Sequence, residues 1–277
     1  MTEPLERVSS ANEDAALRYL AQRPYDNVYA YWLLVTRQLR SGADMAVWRD
    51  ECGAVQGACS YGAQIVPSSD DVRALDAFGE RAQASAHHAR MIVGRRRDVE
   101  RLWSHAANAF PKPSAVRTSQ PLYAIGRSDL RYTRTDADVA PATLAEVDEL
   151  AVNSAAMIAG EMGGGSVPIS NEFRARTTRL IEAGWLWQYR HDGKLTFMCH
   201  VGATMPATAQ LQGVWTPPEM RGRGYATRAL GAICDRLLDN VPKLSLYVNG
   251  YNASAIALYE RVGFQRVGEF QTIIFGS

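Results

Sequence analysis

A short run of arginines and glycines at residues 221–226, Arg-Gly-Arg-Gly-Tyr-Ala, has the composition of an anion-binding turn. It follows an apolar stretch, Thr208–Thr216, that ends at Pro217 and Pro218, and it precedes a long helical pattern. Glycines let the main chain approach an anion closely. The first turn of a helix adds free N–H groups and a partial positive charge. The N–H groups of Gly222–Thr227 are therefore predicted to bind a pyrophosphate.

A second pair of polar residues, Asn252 and Tyr259, lies further along the chain. Seven residues make two helical turns, so both side chains are expected on one face of a helix. Taken singly, Asn252 is typical of a helix cap and Tyr259 of a core residue. Their joint position behind the glycine turn favours a ligand site that includes both.

The elements around these residues alternate strand and helix. Thr208–Thr216 is predicted to be a strand, Tyr225–Leu238 a helix, and Asn252–Val262 a second helix that ends at Gly263. Upstream, Asp192-Gly193 between two apolar runs predicts a tight hairpin. Further predictions for this half are a strand at 130–133, helices at 141–158 and 170–183, and a glycine-rich loop at 160–165 that contains Glu161.

The first half shows a similar order of elements, which suggests an internal duplication that aligns residues 93–95 with 248–250. One strand is expected at Ala54–Ile65, and Pro67–Asp71 is expected to start a helix. This helix start has two carboxylates and no glycine, so any phosphate site there is expected to be lost. A boundary after residue 127 gives predicted domains of 1–127 and 128–277.

Composition excludes several classes of function. A formal net charge of +1 gives no attraction to nucleic acid or to anionic membranes. No apolar run reaches the roughly 18 residues of a membrane span, and the N-terminus lacks a signal-peptide pattern. The four cysteines show no metal-ligand spacing, so we expect reduced thiols, no metal and a cytoplasmic location. The protein is expected to be a monomer or a homodimer.

The motif Arg221–Ala226 resembles the acyl-CoA loop of GCN5-related N-acetyltransferases (GNAT), with the pattern Arg/Gln-x-x-Gly-x-Gly/Ala. The stretch from Asn252 to Phe264 is similar to that family's second signature. The resemblance covers roughly 130–275 and implies an α/β GNAT fold, with a mixed, mostly antiparallel sheet flanked by helices. The tandem arrangement, with a degenerate N-terminal copy, resembles a group of actinobacterial acetyltransferases.

The resemblance implies a role for each matching residue. The strand end would pair with the pantetheine arm and meet the developing oxyanion, the turn would bind the pyrophosphate with help from two arginines, and Asn252 would hold the cofactor arm. Tyr259 would protonate the leaving thiolate, since a phenol with a pKa of roughly 10 is protonated at neutral pH. The residues implied to bind acetyl-CoA are Val214, Trp215, Thr216, Arg221, Gly222, Arg223, Gly224, Tyr225, Ala226, Thr227 and Asn252.

A general base is harder to assign, because the strand Thr208–Thr216 carries no carboxylate. Glu161 is the first candidate, His200 is an alternative, and a water relay needs no protein base. The function implied is transfer of an acetyl group from acetyl-CoA to an amine, on a small molecule or a protein, by direct attack in a ternary complex. A non-catalytic CoA-binding regulatory protein and an acyltransferase for an amino-sugar thiol precursor are alternatives.

Overall fold

The computed structural model describes residues 4–36, 44–131, 139–161 and 167–276. The first half comprises β1 (Leu5–Arg7), α1 (Glu13–Ala21), α2 (Pro24–Val35), β2 (Asp44–Arg49), β3 (Val55–Tyr61), β4 (Gln64–Ser69), α3 (Val72–Ala82), β5 (Met91–Arg95), α4 (Arg96–Ala106) and β6 (Ala115–Gly126). The second half comprises β7 (Val139–Pro141), α5 (Val147–Glu161), α6 (Asn171–Glu182), β8 (Leu186–His191), β9 (Lys194–Met205), β10 (Thr208–Trp215), α7 (Tyr225–Leu237), β11 (Lys243–Tyr247), α8 (Ala253–Val262) and β12 (Gln265–Ile274). The two halves repeat the same order of strands and helices, as the proposed duplication requires.

The twelve strands of the described residues form one sheet, in the order β1-β2-β3-β4-β5-β12-β6-β11-β10-β9-β8-β7. Two neighbouring pairs, β4–β5 and β10–β11, are parallel, and the other described pairs are antiparallel. The predicted mixed, mostly antiparallel sheet flanked by helices is therefore confirmed.

The last strands of the two halves are exchanged at the centre of the sheet. β6, from the first half, pairs with β11 of the second half, from Leu122↔Tyr247 to Gly126↔Lys243. β12, from the second half, pairs with β5 of the first half. Each half is thus completed by a strand of the other, and β6 and β12 pair with each other between them. The boundary after residue 127 stays a prediction, because the sheet is continuous across it.

Local sequence signals account for the hairpin in the second half. Asp192 and Gly193 have positive φ angles of 50° and 73°, as a two-residue turn of the predicted kind requires. The turn joins β8 to β9, and the side chains of β9 alternate between more and less buried positions toward its end. The predicted hairpin is confirmed.

The prediction of a single strand at Ala54–Ile65 is wrong. The chain turns after Tyr61, and β4 runs antiparallel to β3 through Pro67, which pairs with Cys59. Proline is tolerated in β4 because its pairing with β5 covers only Gln64 and Ile65, so no ladder hydrogen bond to β5 is lost at Pro67. The helix predicted to start at the cluster Pro67–Asp71 begins at Val72, with Asp71 as its N-cap.

Two predictions in the second half also need correction. Pro141 ends strand β7, and α5 begins at Val147 after a short 3₁₀ turn, so the helix predicted at 141–158 starts later and ends later. Glu161 belongs to the last turn of α5 and not to a loop. The glycine-rich segment 162–166 lies outside the described residues, as do residues 132–133 of the strand predicted at 130–133.

Helix α2 of the first half packs on strands of the second half. Its Val28 is fully buried in a cluster with Ala203 and Met205 of β9, and the rings of Trp32 and Trp185 lie 6.0 Å apart. This packing joins the halves on one face of the sheet, as the strand exchange does at its centre. Within the described residues, no helix combines the length and apolar character needed to cross a membrane.

Candidate active site

The site begins where the parallel strands β10 and β11 separate. They pair only at Ala209↔Leu244 and Gln210↔Ser245. Beyond Gln210, β10 stays paired with β9 and leaves its other edge without a strand partner. The unpaired edge can accept an extended ligand carrying amide groups.

A β-bulge in this edge displaces the backbone at Gly213 and Val214. The register with β9 shifts between Gln212, which is opposite His200, and Trp215, which is opposite Met198. Gly213 has a φ of 63°, and a Cβ there would lie 2.5 Å from Nδ1 of His200, so only glycine fits. The bulge makes the edge of β10 irregular beside Val214, which lines the cavities described below.

The glycine turn follows β10 and leads into α7. Gly222 and Gly224 have φ angles of 74° and 77°, which glycine adopts without strain. Gly224 is the N-cap of α7, and no side chain caps this helix. The backbone N–H groups from Gly222 to Thr227 donate to no acceptor among the described residues, and the first such bond in α7 is from Arg228 to Gly224. A row of unpaired donors at the start of a 13-residue helix is suited to an anion.

These donors border a cavity of about 720 Å³, which we call the turn cavity. Its volume is within the roughly 300–1,000 Å³ typical of small-molecule sites. It is lined by Ala156, Met157, Gly160, Glu161, Val214, Trp215, Thr216, Pro218, Met220, Arg221, Gly222, Gly224, Tyr225, Ala226, Thr227, Asn252, Ser254, Ala255, Leu258 and Arg261. Except for Arg223, every residue predicted to bind acetyl-CoA is in this lining.

The two arginines of the turn differ in position. The guanidinium of Arg221 lies 4.7 Å from the ring centre of Trp215, and its Nε donates to the carbonyl of Thr216 at 3.0 Å. Arg221 is thus held at the wall of the turn cavity. Arg223 is exposed and lines neither cavity described here. Its role in binding phosphate stays a prediction.

Asn252 caps helix α8. Its Oδ1 accepts from the N–H of Ala255 at 3.2 Å and from the hydroxyl of Ser254 at 3.0 Å. Its Nδ2 donates to no described residue, and the side chain lines the turn cavity. Asn252 therefore serves as a cap and has a donor available for a ligand, so its two possible roles are compatible.

Tyr259 lies two turns along α8 and borders a second cavity of about 260 Å³, which we call the tyrosine cavity. The residue is 5% exposed, and its hydroxyl makes no hydrogen bond to a described residue. Burial raises the pKa of the phenol far above its usual value, and Cys199 and Glu161 add to this increase. The phenol is therefore protonated at neutral pH. Met157, Glu161, Val214, Asn252 and Ala255 line both cavities, which are contiguous.

The two candidate bases both line the tyrosine cavity. Burial lowers the pKa of His200 to about 4, with a smaller effect of Arg176, so the imidazole is neutral and weakly basic at pH 7. Its Nε2 is buried without a hydrogen-bond partner in the described structure. Glu161 is about half exposed, and its Oε2 lies 3.7 Å from Nη2 of Arg117. Among the described residues lining the two cavities, Glu161 carries the sole carboxylate.

Several residues of the site were not predicted. Ser254, Leu258 and Arg261 line the turn cavity from α8, where their spacing of four and seven residues from Ser254 gives one helical face. That periodicity could have identified them. Arg117 and Gln120 of β6 also line the tyrosine cavity. No local signal places them there, because they reach it through the strand exchange.

The equivalent place in the first half is filled by side chains. β4 and β5 also pair at only two positions before separating, but residues 70–71 alone connect β4 to α3. Asp71 caps α3 by accepting from the N–H of Arg73. Asp98, with no exposed side-chain surface, accepts from Arg95 at 2.7 Å, and burial raises the pKa of Asp98 to about 6. Asp71 thus takes a donor at the N-terminus of α3 that an anion would need, and the loss of a first-half phosphate site stays a prediction.

Several solved structures can be superposed on nearly the whole length of this chain. An acetyltransferase of the GNAT family from Colwellia psychrerythraea has a TM-score of 0.61 at 13% identity, with 98% of this chain and 99% of that chain covered. A GCN5-related N-acetyltransferase from Sphaerobacter thermophilus has a TM-score of 0.61 at 15% identity, with 97% and 93% covered. A tandem GNAT protein from the clavulanic acid biosynthesis pathway has a TM-score of 0.56 at 16% identity, with 99% of both chains covered. The chain therefore has a tandem GNAT fold.

Comparison with family models addresses the two halves separately. Residues 168–264 match the Acetyltransferase (GNAT) family, and residues 45–150 match a domain of unknown function, DUF4081. A search of curated proteins finds no match. The match to the GNAT acetyltransferase family is thus confined to the second half, in the segment that contains the glycine turn and the α8 residues of both cavities.

Proposed function

We propose that this protein is an acyl-CoA-dependent N-acyltransferase that transfers an acetyl group to an amine in a ternary complex. The observation that carries the proposal is the row of unpaired N–H groups at Gly222–Thr227, at the wall of a cavity contiguous with the one that Tyr259 borders. One cavity offers donors for a pyrophosphate, and the other offers a neutral acid.

The lining of the turn cavity fits acetyl-CoA. The free N–H groups and Arg221 are donors for phosphate oxygens, and the unpaired edge of β10 is a partner for the amides of a pantetheine arm. Asn252 would hold that arm through its free Nδ2. In this arrangement the acyl group lies toward Val214, where both cavities meet.

Acetyl-CoA would supply an activated acyl group as a thioester. The nitrogen of the acceptor would add to the acyl carbon and move the carbonyl electron pair onto the oxygen, which gives a tetrahedral intermediate. The carbonyl would then re-form as the carbon–sulfur bond breaks and the sulfur takes its electron pair. Tyr259 would give the sulfur its proton, and the N–H of Val214 would stabilise the negative charge on the acyl oxygen. Tyr259 recovers a proton from solvent.

The acceptor amine must lose a proton before or during the attack. Glu161 is the proposed base, because it lines both cavities on the same side as Met157 of α5 and is partly open to solvent. His200 is the weaker choice, since a pKa of about 4 leaves it little affinity for a proton at pH 7. A Glu161→Gln protein should lose kcat most strongly at low pH, where the free amine is scarce.

Binding is tested by placing a carboxylate in the glycine turn. Ala226 is in the first turn of α7 and lines the turn cavity. In Ala226→Glu the new charge repels phosphate, although an acidic residue at a helix N-terminus favours folding. We expect affinity for acetyl-CoA, measured by calorimetry, to fall at least about tenfold below that of the Ala226→Gln control, given the strength of charged hydrogen bonds. Equal affinities of the two variants would contradict phosphate binding at the turn.

Turnover is tested by following thiol release from acetyl-CoA in the presence of a panel of primary amines. Amine-dependent release supports the enzyme. Tight binding of acetyl-CoA with no release for any amine would instead support a CoA-binding protein without turnover, an alternative that the absence of a carboxylate on β10 favours.

A further inference from the structure

The tyrosine cavity is bordered by two arginines from distant parts of the chain. Arg117 comes from β6 of the first half and Arg176 from α6 of the second half. Arg176 makes no hydrogen bond or ion pair with any described residue. Arg117 has one ion-pair contact, 3.7 Å from Glu161, which is longer than a hydrogen bond. Both guanidinium groups therefore keep donors for a ligand.

Asn249 adds a third free donor to the same cavity. It is 7% exposed, and its Oδ1 accepts from Nε2 of Gln120 at 3.0 Å. Gln120 is fixed in turn, because its Oε1 accepts from the hydroxyl of Thr272. These two hydrogen bonds fix the orientation of the Asn249 amide and leave its Nδ2 without a partner among the described residues. A buried amide held in this way is suited to an acceptor oxygen on a ligand.

The charges of the cavity follow from these residues. Arg117 and Arg176 contribute two positive charges, Glu161 contributes one negative charge, and His200 is neutral at pH 7. A polyamine would meet two cations and a single carboxylate. A ligand with one ammonium and one carboxylate matches both signs, since guanidinium groups bind carboxylates through paired hydrogen bonds.

From this arrangement we propose that the acceptor is a small amine that carries a carboxylate, bound through Arg117, Arg176 and Asn249. The inference rests on the proposed acyltransferase function and specifies its second substrate. The tyrosine cavity, of about 260 Å³, is smaller than the turn cavity of about 720 Å³, which favours a small acceptor. The amine nitrogen lies toward Glu161 and Tyr259, and the carboxylate lies toward the arginines. The product is the N-acetylated amino carboxylate together with free CoA thiol.

The test compares matched pairs of amines, an amino carboxylate and its carboxamide of the same chain length. Thiol release is measured with acetyl-CoA saturating, and kcat/KM is expressed per free amine, because amidation changes the amine pKa. We expect the carboxylate member to be used at least about tenfold better. In Arg117→Gln and in Arg176→Gln this preference should fall toward unity, mainly through an increased KM for the carboxylate.

Arg179→Gln is the matched control for Arg176→Gln. Arg179 is exposed one helical turn further along α6, lines neither cavity and should leave the preference unchanged. Arg176→Lys should restore part of the preference, because it keeps the charge but not the paired donors.

The outcomes separate the two proposals. Amine-dependent turnover without preference for the carboxylate, or with preference for polyamines, overturns this inference and leaves the acyltransferase function intact. No binding of acetyl-CoA overturns the function. No turnover of any amino carboxylate overturns the inference whatever the other amines do.

Discussion

The substitution Tyr259→Phe isolates the proposed acid, because it removes one oxygen and little packing. The Tyr259 ring centre lies 6.3 Å from that of Tyr123 and 5.9 Å from that of Phe264, and phenylalanine keeps these contacts. The hydroxyl has no hydrogen-bond partner among the described residues. We therefore expect the free energy of unfolding to change by less than about 1 kcal/mol, since no intramolecular hydrogen bond is lost.

The effect on catalysis should be much larger than the effect on stability. General acid catalysis contributes roughly 10²–10⁴-fold to a rate. A thiol with a pKa of about 8.5 is already a good leaving group near neutral pH, because its thiolate is only weakly basic. The expected loss of kcat is therefore near the lower limit of that range, about 100-fold. That loss corresponds to about 3 kcal/mol in the activation free energy. Since the phenol stays protonated, Tyr259 should produce no fall in kcat below about pH 10 in the wild-type protein.

The assay measures kcat by thiol release and acetyl-CoA affinity by calorimetry on the same preparations. Tyr123→Phe is a matched control, because its hydroxyl bonds to Glu260 at 3.0 Å and it lines neither cavity. This control should lose about 1 kcal/mol of stability and keep its kcat. A folded Tyr259→Phe protein that binds acetyl-CoA with wild-type affinity and retains full kcat refutes the acid role.

Three further predictions concern the fold. In Gly224→Ala the left-handed φ of 77° costs about 1–2 kcal/mol, and the new Cβ meets no atom within 4 Å, so denaturant unfolding should show that strain alone. The pKa of Asp98, raised from 3.8 to about 6, means that its contribution to stability is full below pH 4 and is lost as pH rises through 6. The free energy of unfolding of Asp98→Asn minus that of the wild type should therefore increase by roughly 3 kcal/mol between pH 4 and a pH above 6. A difference that does not change with pH would contradict a raised pKa of Asp98. A fragment of residues 128–277 lacks β6, so β11 and β12 lose their shared neighbour; circular dichroism and solubility should show that it does not fold alone.

The parts of the structure that sequence could predict depend on local chemistry. The Asp192-Gly193 turn, the glycine turn and the start of α8 at Asn252 all use residues whose conformational preferences act within a few positions. The same local rules failed at Pro67, where proline indicated a break and the structure has a strand. Pro67 is compatible with β4 because the neighbouring strand has already separated, a fact about tertiary structure.

The remaining features depend on contacts between distant segments. β6 and β12 are both strands that follow a helix and become buried toward their ends, and their sequences do not show that they exchange places. For that reason Arg117 was absent from the predicted site, although it lies in the same cavity as Tyr259. The site residues that were predicted lie within residues 214–259 or at Glu161 and His200, whereas those missed on β6 come from the other half of the chain.

The strand exchange gives a physical reason for the retention of a first half without its own anion site. β6 is paired on both sides at the centre of the sheet, between β11 and β12. It also places Arg117 and Gln120 beside the cavity that Tyr259 borders. The turn between β4 and α3 could therefore acquire carboxylates without affecting the site, whereas a loss of β6 would remove part of the cavity lining and open the sheet. Under the proposed function, the second half would bind acetyl-CoA and the first half would contribute to selection of the acceptor.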